Sequence, residues 1–127
     1  MTDDPVHQWL TKAEHDLKIA RDELATEEPV TDMVSFHAQQ ACEKCLKAFL
    51  IFHGKEYPRT HDLSDLIARC EAIDAEFALL AEWGVDELTD YSVSVRYGEP
   101  FEMPSLSDAQ EALVLAERVL RFVKDRM

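Results

Sequence analysis

Apolar residues recur at intervals of three and four along two long stretches of the chain, residues 5–27 and 31–53. One face of the first stretch carries Trp9, Ala13, Leu17, Ala20 and Leu24. The matching face of the second carries Met33, Val34, Ala38, Ala41, Cys45, Ala48, Phe49 and Phe52. This spacing is typical of amphipathic α-helices, because a helix completes a turn in 3.6 residues. The chain is therefore expected to fold around two long helices.

Capping signals mark where these two helices begin and end. Asp3 or Asp4 is expected to cap the first helix, which contains Pro5 in its first turn. Thr31 or Asp32 is expected to cap the second. Gly54 is suited to the left-handed conformation that stops a helix.

Shorter helices are expected in the rest of the chain. The third carries Leu63, Leu66, Ile67 and Cys70, and Asp74 caps a continuation that Gly84 ends. A fourth helix is expected from Asp86, although residues 91–97 are rich in β-branched residues and would locally suit a strand. A lone strand would have no partner, so helix is favoured there. Ser107 and Gln110 have the spacing of a capping box for the last helix.

Few residues in the chain favour tight turns or interrupt helices. Only three glycines and five prolines occur among 127 residues, and alanine, leucine and glutamate are abundant. A chain of this length forms one domain. The sequence therefore predicts an all-α fold, an up-and-down antiparallel bundle of four to five helices, as a single domain over residues 1–127.

Charge restricts the classes of partner. The net charge is −13, with 26 acidic and 13 basic residues. Such a chain repels DNA, anionic membranes and, less strictly, RNA, because lysine and arginine drive binding to a phosphate backbone. Residues 31–62 are an exception, with four acidic and four basic side chains. No apolar run is long enough to span a membrane and the N-terminus lacks a secretory signal, so a cytoplasmic location is expected.

Cys42 and Cys45 have the CxxC spacing of redox and zinc sites, but they fall in the middle of the second helix. A redox CxxC motif needs a helix N-terminus, and zinc needs a second pair of ligands. Cys70 is the one further cysteine. Buried thiols in a reducing compartment are therefore expected, and no metal site.

A polar stripe lies beside the apolar face of the second helix. It consists of His37, Gln40, Lys44 and Lys47, at intervals of three, four and three. One interpretation is a solvated helix edge. The other is the lining of an anion-binding groove, and periodicity does not decide between them.

Arg59, Thr60 and His61 cluster where the third helix begins. Free N–H groups and the helix dipole favour an anion at such a position. The cluster can therefore hold a phosphate, or it can be a helix cap with incidental neighbours.

Three segments together resemble one protein family. They read FHAQQACEKCLKAFLIFHG from Phe36, PRTHDLSDLI from Pro58 and YSVSVRYGEP from Tyr91. In this combination the chain resembles the HEPN domain family over nearly its whole length. The resemblance implies a helical bundle that is often a homodimer. It also implies a toxin–antitoxin-like pairing with a minimal nucleotidyltransferase, nucleotide binding, or metal-independent ribonuclease activity.

The ribonuclease branch of that family has an arginine followed four to six residues later by a histidine. Arg96 occupies the position of the arginine, but no histidine occurs in residues 97–103. Metal-independent RNA cleavage needs an acid–base group as well as a positive charge. His37 or His61 would have to supply that group from elsewhere in the fold.

Three functional hypotheses follow. The first is a nucleotide- or phosphate-binding module without a cofactor, the partner of a nucleotidyltransferase. Its phosphate-binding residues would be Lys44, Lys47, Arg59, Thr60, His61 and Arg96, with Tyr57 or Tyr97 stacking on a base. The second is a ribonuclease toxin with Arg96 and either His61 or His37 as catalytic candidates. The third is a structural or interaction module, in which Glu43, Lys44, Arg96, His61 and Asp62 form a polar network.

Overall fold

The computed structural model describes residues 4–92 and 102–127. These residues form five α-helices and two short 3-10 segments. The α-helices are α1 (Pro5–Leu24), α2 (Thr31–Phe52), α3 (Leu63–Glu71), α4 (Ala78–Glu82) and α5 (Leu106–Lys124). A 3-10 turn, Ala75–Phe77, precedes α4, and a 3-10 helix, Val85–Tyr91, follows it. The predicted all-α bundle is confirmed, and no strand occurs in these two ranges.

Contacts between the long helices define their directions. Glu14 and Arg21 of α1 pair with Lys124 and Glu117 of α5, so α1 and α5 are antiparallel. The short connection 25–30 joins α1 to α2, and the two helices pack against each other in antiparallel directions. It follows that α2 and α5 run in the same direction, with α1 opposed to both.

The core contains small residues between α1 and α2 and aromatic rings towards the other helices. Where α1 and α2 meet, alanines such as Ala13 and Ala38 are fully buried, and their small size allows the backbones to approach closely. Towards the other helices, Phe77 packs against Phe49 and Phe122, with ring centroids 4.4 and 5.0 Å away. Such aromatic contacts add to the stabilisation from burial alone. Helix α2 contacts α1, α3 and α5, and is therefore the central helix.

Glycines and aspartates end and begin the helices largely as expected. Gly54 and Gly84 have φ values of 69° and 82°, the left-handed conformation that favours glycine. The carboxylates of Asp4, Asp62 and Asp74 each accept a backbone N–H at the start of a helical segment. The boundaries predicted at Asp4, Gly54, Asp74 and Gly84 are confirmed.

Some local expectations were wrong. Helix α1 ends at Leu24, before the expected residue 27, and α2 has Val30 rather than Thr31 or Asp32 at its N-cap. The Thr31 hydroxyl instead donates to the carbonyl oxygen of Pro104 and so connects α2 to the segment before α5. Met33 and Phe52, expected on the buried face, are about half exposed.

The segment after Gly84 also differs from the expectation. It forms a 3-10 helix from Val85 rather than an α-helix from Asp86. The expected continuation through residues 93–97 lies outside the described residues, as do Gly98 and Pro100.

The capping box of α5 lies two residues before the predicted one. Ser105 is the N-cap, and its hydroxyl accepts from the N–H of Asp108 at 3.0 Å. The Asp108 carboxylate accepts from the N–H of Ser105 at 3.0 Å in return. The sequence has a serine at both 105 and 107. The residue three positions after the actual N-cap is Asp108, whereas the prediction paired Ser107 with Gln110.

Replacing Ser105 by alanine is expected to lower the free energy of unfolding by about 1 kcal/mol, because the cap hydrogen bond is lost. The matched control is Ser107→Ala, which removes an exposed hydroxyl just inside the same helix and should change stability by less than about 0.5 kcal/mol. Urea unfolding followed by circular dichroism measures both. Equal effects for the two variants would contradict the assignment of the cap.

Candidate functional site

A buried carboxylate, Glu43 of α2, lies at the centre of the candidate site. The residue is 4% exposed. Its Oε1 lies 2.7 Å from Nδ1 of His61, and its Oε2 lies 3.0 Å from Nζ of Lys47. Lys47 is one helical turn further along α2, so the regular i, i+4 spacing places its ammonium group beside the carboxylate. Glu43 thus connects a buried lysine to a histidine from a different segment.

Gln39 joins this cluster from the preceding turn of α2. Its side chain is fully buried. Its Nε2 donates to the carbonyl oxygen of His61 at 3.3 Å and lies 3.4 Å from Oε1 of Glu43. Its own Oε1 accepts from Nε2 of Gln40 at 2.7 Å. Gln39 therefore holds both the backbone of His61 and the carboxylate that contacts its ring.

The connection between α2 and α3 brings His61 to this position. Residues 55–62 lead from the end of α2 back to the level of Gln39, where Asp62 caps α3. The Thr60 hydroxyl accepts from the N–H of Asp62 at 3.0 Å, and the N–H of Leu63 donates to the Thr89 hydroxyl at 3.0 Å. His61 is thus the last residue before a fixed helix start.

The hydrogen bond to Glu43 determines how the His61 ring can react. A carboxylate only accepts, so Nδ1 must be the nitrogen that donates. Nε2 has no protein partner among the described residues, and the His61 side chain is 58% exposed. An imidazole held in this way can present Nε2 to a ligand, as an acceptor when neutral or as a donor when protonated.

Aromatic rings enclose the buried ammonium group of Lys47. Its Nζ lies 5.3 Å from the centroid of the Tyr57 ring and 5.7 Å from that of Trp9. The two rings meet edge to face, 5.6 Å apart. Cation–π attraction adds to the ion pair with Glu43, and together they compensate for the loss of water around Lys47.

A second charged cluster lies between α1 and α2. The Asp16 carboxylate accepts hydrogen bonds from Nδ1 of His37 at 2.8 Å and from Nζ of Lys44 at 2.5 Å. The three side chains are only 10–20% exposed. The cluster therefore fixes α1 against α2, and most of its charge is compensated within the protein.

The structure divides the predicted site residues into separate groups. Lys47 and His61 meet through Glu43, whereas His37 and Lys44 meet through Asp16. The predicted polar stripe of α2 therefore faces α1 and the connection to α3. Of the third hypothesis, the contact between Glu43 and His61 is present, but Lys44 pairs with Asp16 instead.

The remaining predicted site residues come from the connection or from outside the described chain. Arg59 is exposed, and the Thr60 hydroxyl accepts the N–H of Asp62. Arg96 and Tyr97 lie outside the described residues.

Sequence analysis overlooked Asp16 and Gln39. Asp16 falls next to Leu17 on the buried side of α1, where an acidic residue needs a cationic partner. That position was the available signal, since α2 supplies both His37 and Lys44. Gln39 is flanked by the apolar positions Ala38 and Ala41, but nothing in its spacing distinguishes it from a solvated glutamine.

The three cysteines are buried free thiols, as expected. Burial raises the pKa of Cys45 and of Cys70 to about 12. Burial, and next the neighbouring Cys45, raise the pKa of Cys42 well above its usual value. The thiolate is therefore scarce at neutral pH, which disfavours redox chemistry at this CxxC. No group of three or more potential metal ligands occurs in residues 4–92 and 102–127.

Comparison with known proteins identifies the family. The HEPN domain model matches residues 6–126. The chain belongs to the HEPN domain family. A protein of Methanocaldococcus jannaschii described as "Putative toxin MJ1304" is 31% identical, with 92% of this chain and 84% of that protein covered.

Two crystal structures share the fold. TT1696 from Thermus thermophilus superposes with a TM-score of 0.80 at 29% identity, covering 96% of this chain and 98% of its own. ST0689, an archaeal HEPN homologue, gives a TM-score of 0.73 at 28% identity, covering 95% and 96%. The family resemblance noted in the sequence is confirmed. Within the described ranges of this chain, none of the helices is both long and apolar enough to cross a membrane.

Replacing Glu43 by glutamine is expected to lower the free energy of unfolding by about 3 kcal/mol, because the Lys47 ammonium group then stays buried without its counter-charge. The double variant Glu43→Gln/Lys47→Met should recover a large part of the loss. Denaturant unfolding measures both.

The control is Asp22→Asn, which breaks the exposed pair with Lys18 and should cost less than about 1 kcal/mol. A loss in Glu43→Gln no larger than in this control would show that the cluster around Glu43 does not support the fold.

Proposed function

We propose that this protein is the toxin-like member of a toxin–antitoxin-like pair and binds the phosphate group of a nucleotide at His61. Membership of the HEPN family and the similarity to a protein described as a toxin candidate support the first part. The second part rests on one observation, a mostly exposed imidazole whose Nδ1 is anchored on the buried Glu43 carboxylate.

The charges around His61 favour a small ligand. Lys47 is nearly buried and paired with Glu43, and Lys44 is paired with Asp16, so little of their charge is available. Arg59 and His61 are exposed and remain for a phosphate group. With a net charge of −13, a long polynucleotide would be repelled at a distance, whereas one nucleotide needs only local compensation.

Arg96, Tyr97 and Thr60 are proposed as further members of the site. Arg96 would add a guanidinium group suited to phosphate, and Tyr97 a ring suited to a base. Their support is the sequence pattern that they share with the family.

The proposed protein partners are a second copy of the chain and a nucleotidyltransferase, in the cytoplasm. Exposed apolar side chains support association with another protein. Ile19, Val30 and Met33 border a recess of about 230 Å³ between α1 and α2, and each is about half exposed. Apolar surface of this kind commonly marks an interaction site.

Replacing His61 by alanine is expected to abolish saturable binding of ATP or GTP while the helical content stays unchanged. Calorimetric titration of the wild type and the variant measures the binding, and circular dichroism checks the fold. His15→Ala is the matched control, because His15 is an exposed histidine of α1. If the wild type binds neither ATP nor GTP, the nucleotide-binding proposal is wrong.

The second candidate function is metal-independent RNA cleavage, with His61 as the displaced histidine. The contact with Glu43 favours it, because a carboxylate that fixes the imidazole tautomer leaves Nε2 free to transfer a proton. Single-stranded RNA incubated with the protein and a chelator should then be cleaved by the wild type and not by His61→Ala. Equal cleavage by the two proteins would exclude this role for His61.

A further inference from the structure

Trp9 is a large aromatic residue that lies beside the His61 site and outside the buried core. It projects from the first turns of α1 and is only partly buried. Its ring meets the ring of Tyr57 edge to face at an interplanar angle of 84°. Tyr57 packs against the core, so Trp9 is the outer member of the pair.

Lys47 connects this aromatic pair to the proposed phosphate position. Its Nζ lies 5.7 Å from the centroid of the Trp9 ring and 5.3 Å from that of Tyr57. The same Nζ lies 3.0 Å from Oε2 of Glu43, and the other carboxylate oxygen of Glu43 contacts His61. A continuous series of contacts therefore joins Trp9 to His61 through Lys47 and Glu43.

Lys12 adds an exposed positive charge on the Trp9 side. Its Nζ lies 5.9 Å from the centroid of the Trp9 ring. Unlike Lys47, the Lys12 side chain is exposed, so it can change conformation to contact a bound ligand. The Lys12 ammonium group lies over the Trp9 ring, so a base that stacks on this ring would lie next to it, and both stacking and cation–π contacts become available.

We propose that Trp9 is a base-stacking residue of a site that binds a free nucleotide, with Lys12 beside the base and His61 at the phosphate. The inference rests on the proposed nucleotide binding at His61 and adds to it the base-binding residues. It also defines the ligand class, because a site that stacks a base discriminates a nucleotide from inorganic phosphate or polyphosphate.

Tryptophan fluorescence tests this directly, since the chain has only two tryptophans. In the variant Trp83→Phe, all tryptophan emission comes from Trp9. Saturating ATP is expected to quench that emission, whereas inorganic tripolyphosphate, which has no base, should bind without quenching. In Trp9→Leu, calorimetry should show ATP binding weakened by about tenfold, because stacking of one base is lost. Tripolyphosphate should bind Trp9→Leu as it binds the wild type.

The conservative variant separates stacking from folding. Trp9→Phe keeps an aromatic ring and should recover most of the ATP affinity, and thermal unfolding should show that each variant is folded. Equal weakening of ATP and tripolyphosphate in Trp9→Leu would overturn the inference and indicate a structural role. ATP binding to Trp83→Phe without quenching would overturn it while leaving the phosphate site at His61 intact.

Two further outcomes also decide the matter. If the wild type binds neither ATP nor tripolyphosphate, the proposed function and the inference both fail. If a single-stranded RNA oligonucleotide binds more tightly than ATP and quenches Trp9, the assignment to a free nucleotide is wrong and the ligand is RNA.

Discussion

The burial of one carboxylate, Glu43, determines much of how this bundle is organised. A buried charge is costly unless cations and hydrogen-bond donors surround it. Lys47 and Gln39 of the same helix and His61 of the next segment supply them. Since His61 has to reach this carboxylate, the connection after α2 turns back along the helix before α3 begins. The same requirement leaves an imidazole at the surface with one nitrogen engaged and the other accessible.

A second carboxylate, Asp16, has the same role between α1 and α2. It compensates His37 and Lys44 within the interface. The basic residues of α2 are thus mainly counter-ions for two buried acids. Together the two clusters explain how a helix with histidine and two lysines on one stripe can be central in the bundle.

The sequence was sufficient to predict the helices and the fold class, because helix formation here depends on periodicity and on local caps. Asp74 and Gly54 were predicted correctly in this way. Boundaries failed where a distant residue competed for a side chain, as when the Thr31 hydroxyl bonded to Pro104 rather than capping its own helix. At α5 two serines offered a similar local signal, and the reciprocal bonds with Asp108 favoured Ser105.

The candidate site could be predicted only in part for the same physical reason. Sequence spacing groups His37, Lys44 and Lys47 on one helix face, but it does not reveal which acidic residue from another segment each one meets. Asp16 and Glu43 decide that, through tertiary contacts. The pairing changes the interpretation of the lysines, from free cations to compensated ones, and transfers the proposed ligand contacts to His61, Arg59 and Trp9.

The directions of the long helices also have an electrical consequence. Each peptide unit carries a dipole, so a helix has a partial positive charge at its N-terminus and a partial negative charge at its C-terminus. Helices α2 and α5 run in the same direction, and α1 cancels only one of them. One helix dipole therefore remains uncompensated among the three. These three long helices thus have a polarity along their shared direction that the net charge of −13 does not reveal.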